Sequence, residues 1–576
     1  MKISRGLGAL TARERRLALI FAVAGIAALP LAWRGTSCGH DFDFHLETWM
    51  EVLRQWRQGV AYPHWAASAN YGAGEPRFVF YPPLSWMLGA LLSLVMPWVR
   101  VALVFTMVAL AAMGATFFRM AREWMPEENA ALAACLYVAN PYVLFVAYER
   151  SAYGELLAGA WMPLLVLFAL RAKPAMLGLA VVIAGLWLTN DPAAVMGCYA
   201  LGVMVAVAAI VERRWVLVGR AASGTALGLG LAGFYLVPAV YEQKWVEIRR
   251  AIGEGMRVED SFLFGHTGEA FHDQVLKSAS WIAVVLLATT VVAAVLSYRT
   301  RRRGLWAPLV ALAAVIAGLL LPFSDLLWRD VPEMRFLQFP WRWLLVLSLV
   351  LAALVGLTLR EGTRTRGANL LRVGAVVAVA VCVAGVAWVY FWQPCDDEDN
   401  VRAQTATFRD GGFEGTDEYT AAQADNDAIQ RDLPQIRVVK SADGDEGNDA
   451  AGANPEWQAG GPSSHPDLLP SEVQIGRWNV EQMSATVRLE GSSGAGFAVL
   501  RVMDYPAWRV TVNGAAVNAR PRRDDGLMAV PVAAGVSEIE VRYAATRDVW
   551  AGRILSLTAA ILWLGLAARQ RRQRLS

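Results

Sequence analysis

The sequence predicts a polytopic α-helical membrane protein of about twelve or thirteen spans, with a β-sandwich-like domain inserted before the last helix. Three observations predict it. Of the 576 residues, 56% are apolar and only 18% are charged, a balance foreign to water-soluble domains. Apolar runs long enough to cross the roughly 30 Å hydrocarbon layer recur along the chain. One long polar stretch, 393–549, interrupts them near the C-terminal end, and its second half alternates apolar with polar residues.

The spans fall at 17–33, 101–118, 130–148, 153–170, 176–189, 192–210, 216–240, 279–297, 305–321, 341–359, 371–392 and 550–569. The run 84–97 is apolar but short, closed by Pro97 and Arg100. It reads as re-entrant or interfacial, or as a thirteenth span. Residues 17–33 follow a basic start (Lys2, Arg5, Arg13, Arg15, Arg16) that resembles a signal peptide. The run is long and its far end is a poor cleavage context, so it is read as a retained first helix.

Basic loops recur at Arg119/Arg122, Arg171/Lys173, Arg213/Arg214, Arg299 to Arg303 and Arg360 to Arg366, and in the tail Arg569 to Arg574. All share one side if 84–118 crosses once, and the positive-inside rule places that side and both termini in the cytoplasm. The opposite face receives 34–83, 149–152, 190–191, 241–278, 322–340 and 393–549.

The expected domains are a transmembrane unit 1–392 with a first outer loop 34–83, an acidic and partly flexible linker 393–477, a β-sandwich-like domain 478–549, and a final helix with basic tail 550–576. The linker lacks the apolar surface that offsets ordering entropy. From Trp478 the texture changes: 485–490, 497–502, 508–512 and 539–543 alternate. Asn513-Gly514 between two such runs predicts a hairpin turn.

The net charge of +3 gives no sign of a nucleic-acid partner. No Walker loop or dinucleotide fingerprint occurs, so ATP-driven transport by this chain is unsupported. The five cysteines show no ligand spacing. Cys38 and Cys395 flank the outer face, and their pairing stays open.

The first outer loop carries the strongest chemical signal, His40-Asp41-Phe42-Asp43-Phe44-His45. Carboxylates suit general-base work. Together with imidazoles they also suit a divalent cation, so His40, Asp41, Asp43 and His45 form an open metal candidate. On an extended segment Asp41 and Asp43 share a face; on a helix they diverge by about 200°. Beyond them, apolar residues at 46, 49, 50, 53 and 56 predict an amphipathic interfacial helix. Trp49, Trp56, Tyr62 and Trp65 are its expected headgroup anchors.

Further candidates lie on the same face. Glu75, Arg77 and Tyr81 precede Pro82-Pro83, which opens an apolar helix. Glu75 joins the two aspartates as a catalytic candidate; it can equally pair with Arg77 and do nothing more. Glu149, Arg150 and Glu155 crowd a very short loop, where ionisable groups tend to line a pathway. Asp191 follows Thr189-Asn190 as a site residue or a helix cap. Arg335 and Arg342 at the mouth of a span, with Lys244 nearby, could hold a lipid phosphate.

The run Gly39 to His45, followed by Gly59, Pro63-His64-Trp65, Tyr71-Gly72 and Phe80-Tyr81-Pro82-Pro83-Leu84, resembles the start of a bacterial membrane-protein family in the GT-C glycosyltransferase superfamily. That family is labelled as related to 6-pyruvoyl-tetrahydropterin synthase. Glu149-Arg150, Gly154-Glu155 and Gln338 to Arg342 echo it. Tyr505 to Gly514 and Val530 to Gly535 are similar to the C-terminal region of YfhO-like membrane proteins. No zinc–histidine pattern supports pterin chemistry.

The resemblance implies a GT-C-like fold in the bacterial inner membrane. It implies transfer of a sugar from a polyprenyl-phosphate or -diphosphate lipid, on the extracytoplasmic face, to a cell-envelope glycan, lipid or protein acceptor. An acidic residue of the first outer loop would act as base in an inverting displacement, here Asp41 or Asp43. Some members use a divalent cation such as Mg or Mn, and others use none. The chain departs from the expected pattern at Thr189-Asn190-Asp191, where a histidine would follow the threonine. Two rival readings are a lipid-linked sugar carrier or flippase, and a non-catalytic scaffold whose β domain binds glycan or protein.

Overall fold

The computed structural model describes residues 11–171, 175–253, 256–299, 304–359, 366–429, 431, 433–442, 468–490 and 494–575. Lys173, the arginines 301–303, most of the basic loop 360–366 and the acidic stretch 443–467 lie outside the described residues.

The architecture is a polytopic helical membrane protein with a β-sheet domain before its last helix. Among the described residues, nine helices are long and apolar enough to cross a membrane, or up to eleven if each of two bent pairs is one span. The expected twelve or thirteen need Pro83–Ser93 and Met176–Trp187 as well. At 11 and 12 residues, both fall short of the roughly 20 that a span requires. The bent pairs are Val216–Leu231 with Gly233–Trp245, at 76°, and Trp306–Leu319 with Pro322–Asp330, at 96°.

The helix after the first span is Phe42–Arg57. Its expected role as a lipid-facing amphipathic anchor is corrected. Trp49 is fully buried and stacks on Phe105 at 5.4 Å between ring centres. Gly89, on the short helix Pro83–Ser93, lets that helix close onto it: a Cβ there would lie 2.3 Å from the Trp49 ring. Trp65 is buried among Tyr505, Trp508 and Tyr543 of the sheet domain. Neighbouring helices cover Trp49 and the sheet domain covers Trp65, so these two indoles serve protein packing and not the headgroup layer.

Among the described residues, eight strands form the sheet domain: β1 (Ile436–Val439), β2 (Ser471–Trp478), β3 (Gln482–Leu489), β4 (Gly496–Met503), β5 (Trp508–Val512), β6 (Ala515–Ala516), β7 (Leu527–Val532) and β8 (Gly535–Tyr543). They make a three-stranded sheet, β1-β4-β7, and a five-stranded sheet, β2-β3-β8-β5-β6, all antiparallel. Alternate residues such as Val487, Val510, Ile539 and Val541 turn inward to a common core with Val499, Met528 and Val530. Asn513 (φ 51°) and Gly514 (φ 78°) make the hairpin between β5 and β6, with both turn residues in the left-handed region as a type I′ turn requires.

Residues 394–429 form a roof between this domain and the first outer loop. The helix Val401–Arg409 and short turns at Asp417–Tyr419 and Asn426–Ala428 belong to it. The roof is tied down by a disulfide between Cys38 and Cys395. Tyr71 donates its backbone N–H to Phe413 O, at 3.0 Å. Asn426 Nδ2 donates to Asn70 Oδ1, at 3.1 Å.

Candidate active site

The segment that carries Asp41 is pressed against the turn after the span Glu127–Tyr148. His40 N–H donates to Glu149 O at 3.2 Å, and Asp41 N–H to Arg150 O at 2.9 Å. Gly39 permits that approach. A Cβ there would lie 2.5 Å from Glu149 O and 2.6 Å from Tyr148 O, both backbone atoms that cannot swing away. Gly39→Ala is therefore expected to push the Asp41 loop off the Arg150 turn. Any activity that depends on Asp41 is expected to fall more than tenfold in the variant, a displacement of about 1 Å being enough for that. Activity should fall further than the melting temperature of the purified protein predicts.

Asp41 precedes the first turn of Phe42–Arg57, and Asp43 lies within that turn. The two carboxylates therefore diverge, as a helix requires. Asp41 Oδ2 accepts from Arg150 Nη2 at 3.2 Å, and its Oδ1 lies 2.8 Å from His40 Nδ1. Burial alone would raise the Asp41 carboxyl, but the Arg150 guanidinium and the His40 ring outweigh it and hold the group well below the usual carboxylate range. Arg150 also donates to Glu155 Oε2 at 2.7 Å, and Tyr142 OH donates to Glu155 Oε1 at 2.8 Å. Arg342 Nε stands 3.8 Å from the same carboxylate, while its Nη2 donates to Gln338 Oε1 at 3.2 Å.

These groups face a cavity of about 690 Å³. His40, Asp41, His45, Tyr81, Arg150, Glu155, Asp191 and Arg342, all sequence candidates, line it. Apolar side chains line it too, among them Trp187, Val195, Leu229, Leu236, Val240 and Phe336. Asp191 is not the cap of its helix: Asn190 Oδ1 accepts from Ala193 N–H at 3.0 Å instead. Asp191 Oδ2 takes a hydrogen bond from Tyr235 OH at 2.6 Å, and its Oδ1 has no partner among the described residues.

Asp43 lines a different, polar cavity of about 1110 Å³, with Glu47, Tyr71, Arg77, Arg250, Glu414 and Arg431. Phe44, Gln338, Thr416 and Glu418 border both cavities and form the partition between them. Burial raises the Asp43 and Glu47 carboxyls, Glu47 strongly, and pushes Glu418 up to about 7.

The remaining candidates do not reach the first cavity. Glu75 is fully buried and bonded to Arg77 Nε, at 2.6 Å. It also accepts from Thr416 N–H at 2.8 Å. Glu149 turns away and accepts from Gln393 Nε2 at 2.7 Å; burial pushes its carboxyl up to about 7. Lys244 and Arg335 are exposed, their charges set over the rings of Tyr241 (3.5 Å) and Phe336 (5.1 Å).

The four residues considered as metal ligands do not converge. His40 pairs with Asp41, and Asp43 turns to the other cavity. His45 is enclosed by the rings of Trp49, Tyr81 and Tyr153. Burial pushes the His45 ring down to about 4, so it is neutral at physiological pH. Among the described residues, no three His, Cys, Asp or Glu side chains are grouped to hold an ion.

Sequence reasoning missed Gln338, Thr416, Glu418, Tyr419 and Tyr235 as lining residues. Gln338 sits at φ 61°, a left-handed conformation that orients its side chain between Arg342 and Ala251 O. The Gln338 to Arg342 motif was the one sequence signal near any of them.

No family model matches the chain, and no curated protein matches it. Among solved structures, the chain is similar to the arabinofuranosyltransferase AftD from Mycobacteria, solved by single-particle cryo-electron microscopy. The identity is 18% and the TM-score 0.43, over 67% of this chain and 27% of that one. A mutant form of the same protein aligns at 16% identity and TM-score 0.43, over 67% of this chain and 28% of that one. The chain thus spans under a third of the length of the structures it matches.

Proposed function

We propose that the chain is an inverting, GT-C-type glycosyltransferase that uses a polyprenyl-phosphate-linked sugar on the extracytoplasmic face of the bacterial inner membrane, with Asp41 as the base. The observation that carries this reading is the Asp41–Arg150–Glu155–Arg342 cluster in a cavity that many apolar side chains also line. A lipid phosphate needs guanidinium groups at headgroup depth and an apolar surface for its chain. The Cys38–Cys395 bond favours the oxidising side of the membrane for this end, in line with basic loops at the other.

In this reading Arg150 and Arg342 take the donor phosphate. Engaging it loosens the Arg150 hold on Asp41 and makes that carboxylate a stronger proton acceptor. The acceptor hydroxyl enters by the polar cavity, past Thr416 and Glu418. Its oxygen attacks the anomeric carbon while Asp41 takes its proton. The bond from that carbon to the phosphate oxygen breaks, and polyprenyl phosphate leaves with the electron pair, its charge offset by the two arginines. One displacement inverts the anomeric centre, so one base suffices. No step here requires a metal ion.

Glu418 makes the mechanism pH-sensitive. Desolvation pushes its half-buried carboxyl up to about 7, so it is largely neutral below about pH 6 and half ionised near pH 7. As pH rises through that value it gains a negative charge in the same cavity, which weakens binding of an anionic donor. The donor KM is expected to rise above pH 7, and Glu418→Gln is expected to flatten that rise.

The reading is tested by incubating the purified full chain with labelled polyprenyl-phosphate sugars and envelope acceptors. Label should leave the lipid-soluble pool only when the protein is present. Movement of the intact lipid across vesicles without transfer would instead favour a carrier. Neither transfer nor movement, with glycan binding that needs residues 478–545, would favour a scaffold.

A further inference from the structure

The cavity of about 690 Å³ holds a second set of polar side chains, which the transfer chemistry does not use: Tyr81, Asn190, Asp191 and Tyr235. Asn190 and Asp191 sit where the helix Asp191–Glu212 begins. Two links bring the Phe80 to Leu84 segment to them. Leu84 N–H donates to Leu188 O at 2.7 Å. Tyr235 OH reaches both Phe80 O, at 2.7 Å, and Asp191 Oδ2, at 2.6 Å. Gly154 faces the same place. A Cβ there would lie 3.2 Å from Tyr81 OH and 3.3 Å from Asn190 Nδ2, so these two polar atoms border one spot.

The hydrogen-bonding capacity of this set is not used up. Asn190 Oδ1 accepts from Ala193 N–H as the helix cap, which fixes the amide orientation. Its Nδ2 is left with no partner among the described residues. Tyr235 has one hydroxyl hydrogen for its two acceptors. Asp191 Oδ1 is sheltered from solvent and has no partner among the described residues. Asp191 is half-buried and lines the cavity. Rotation about its last side-chain bond, which is broad and two-fold, can turn an oxygen to a ligand. Sheltered polar atoms ordinarily have a partner; here a donor and an acceptor on adjacent residues lack one.

We propose that Asn190 and Asp191 read the sugar of the donor, and that this sugar is a neutral one, held through two ring hydroxyls. The inference rests on the proposed use of a polyprenyl-phosphate sugar. A hydroxyl both donates and accepts. One ring hydroxyl gives its hydrogen to Asp191, and its neighbour takes one from Asn190 Nδ2. A uronic acid that set its carboxylate there would have no hydrogen for Asp191 and would bring a second negative charge beside it. Tyr81 OH, 3.3 Å from His45 Nδ1, borders the same spot.

The test uses the purified full chain in phosphatidylcholine nanodiscs. It is titrated with undecaprenyl phosphate, bare or bearing glucose, galactose, mannose, arabinose or glucuronic acid, and binding and transfer are both recorded. For wild type, at least one neutral sugar should bind about tenfold or more tightly than the bare lipid, and the glucuronate should show no such gain. Asp191→Ala should remove about tenfold of that gain, the worth of a hydrogen bond to a charged group, and leave the affinity for bare lipid unchanged. Tyr235 keeps Phe80 O in this variant. Asn190→Ser retains a capping oxygen and should remove about fivefold, which keeps the test valid if Asp191→Ala folds poorly. The proposal is overturned if no neutral sugar binds more tightly than bare lipid, or if the glucuronate binds as well as the best neutral sugar. Variants that weaken bare and sugar-bearing lipid alike would also overturn it. Sugar-dependent binding without transfer would leave the subsite standing and count against the transferase. Transfer by a wild type whose binding ignores the sugar would do the reverse.

Discussion

Asp41→Asn is expected to lower transfer by about 10²–10⁴-fold, the usual worth of a positioned base, while Asp43→Asn changes it only a few-fold. The two residues are alike in type and two positions apart, so only geometry separates them. Asp41 stands before the first helical turn, against Arg150 and His40, on the wall of the cavity that also holds Arg342. Asp43 accepts from Phe44 N–H at 2.9 Å and faces the polar cavity beyond Phe44. The Asn substitution keeps the shape and removes the charge. Arg150 retains Glu155, so the fold should persist. Initial rates and thermal midpoints measured on the same preparations separate lost chemistry from lost structure.

Arg77→Met is expected to cost about 3–5 kcal/mol of stability, because it strands a buried carboxylate. Arg77 is 1% exposed and Glu75 fully buried. The guanidinium donates to Glu75, to Thr48 Oγ1 at 3.0 Å and to Thr416 Oγ1 at 3.0 Å. It also lies over the Phe44 and Phe413 rings, at 4.4 and 4.9 Å. One side chain thus joins the first outer loop to the roof above the partition. Glu75→Leu/Arg77→Met should recover much of the loss, since a packed apolar pair replaces a buried ion pair nearly neutrally. A catalytic Glu75 would behave otherwise: the double variant would fold and remain inactive. Unfolding midpoints and transfer rates for the two single variants and the double variant decide between these roles.

The fold class was legible because hydropathy and strand alternation are local signals. The hairpin at Asn513-Gly514 is written in two adjacent residues. β1 is four buried residues and too short to alternate. β2 has mostly exposed residues on both faces, so it shows no inward pattern either. The span count was harder. Met176–Trp187 has the composition of a span but not the length, and two further spans bend sharply.

At the site, the sequence brought forward eight of the residues that line the first cavity. It left Asp41 and Asp43 equivalent, because that choice depends on where one helix begins. Trp49 and Trp65 looked like membrane anchors because indoles suit both headgroups and protein cores. Thr416 and Glu418 come from an acidic, apolar-poor stretch. They reach the site through contacts with Glu75, Asn70 and Cys38 that span more than 300 residues of sequence, and no local pattern encodes them.

The most direct test separates donor binding from transfer in Asp41→Asn. Purified wild type and variant are titrated with a labelled polyprenyl-phosphate sugar that wild type transfers, and bound and transferred label are measured in one experiment. The variant is expected to bind the donor about as tightly as wild type, through Arg150 and Arg342, and to transfer almost none of it. Transfer by Asp41→Asn at the wild-type rate would contradict it.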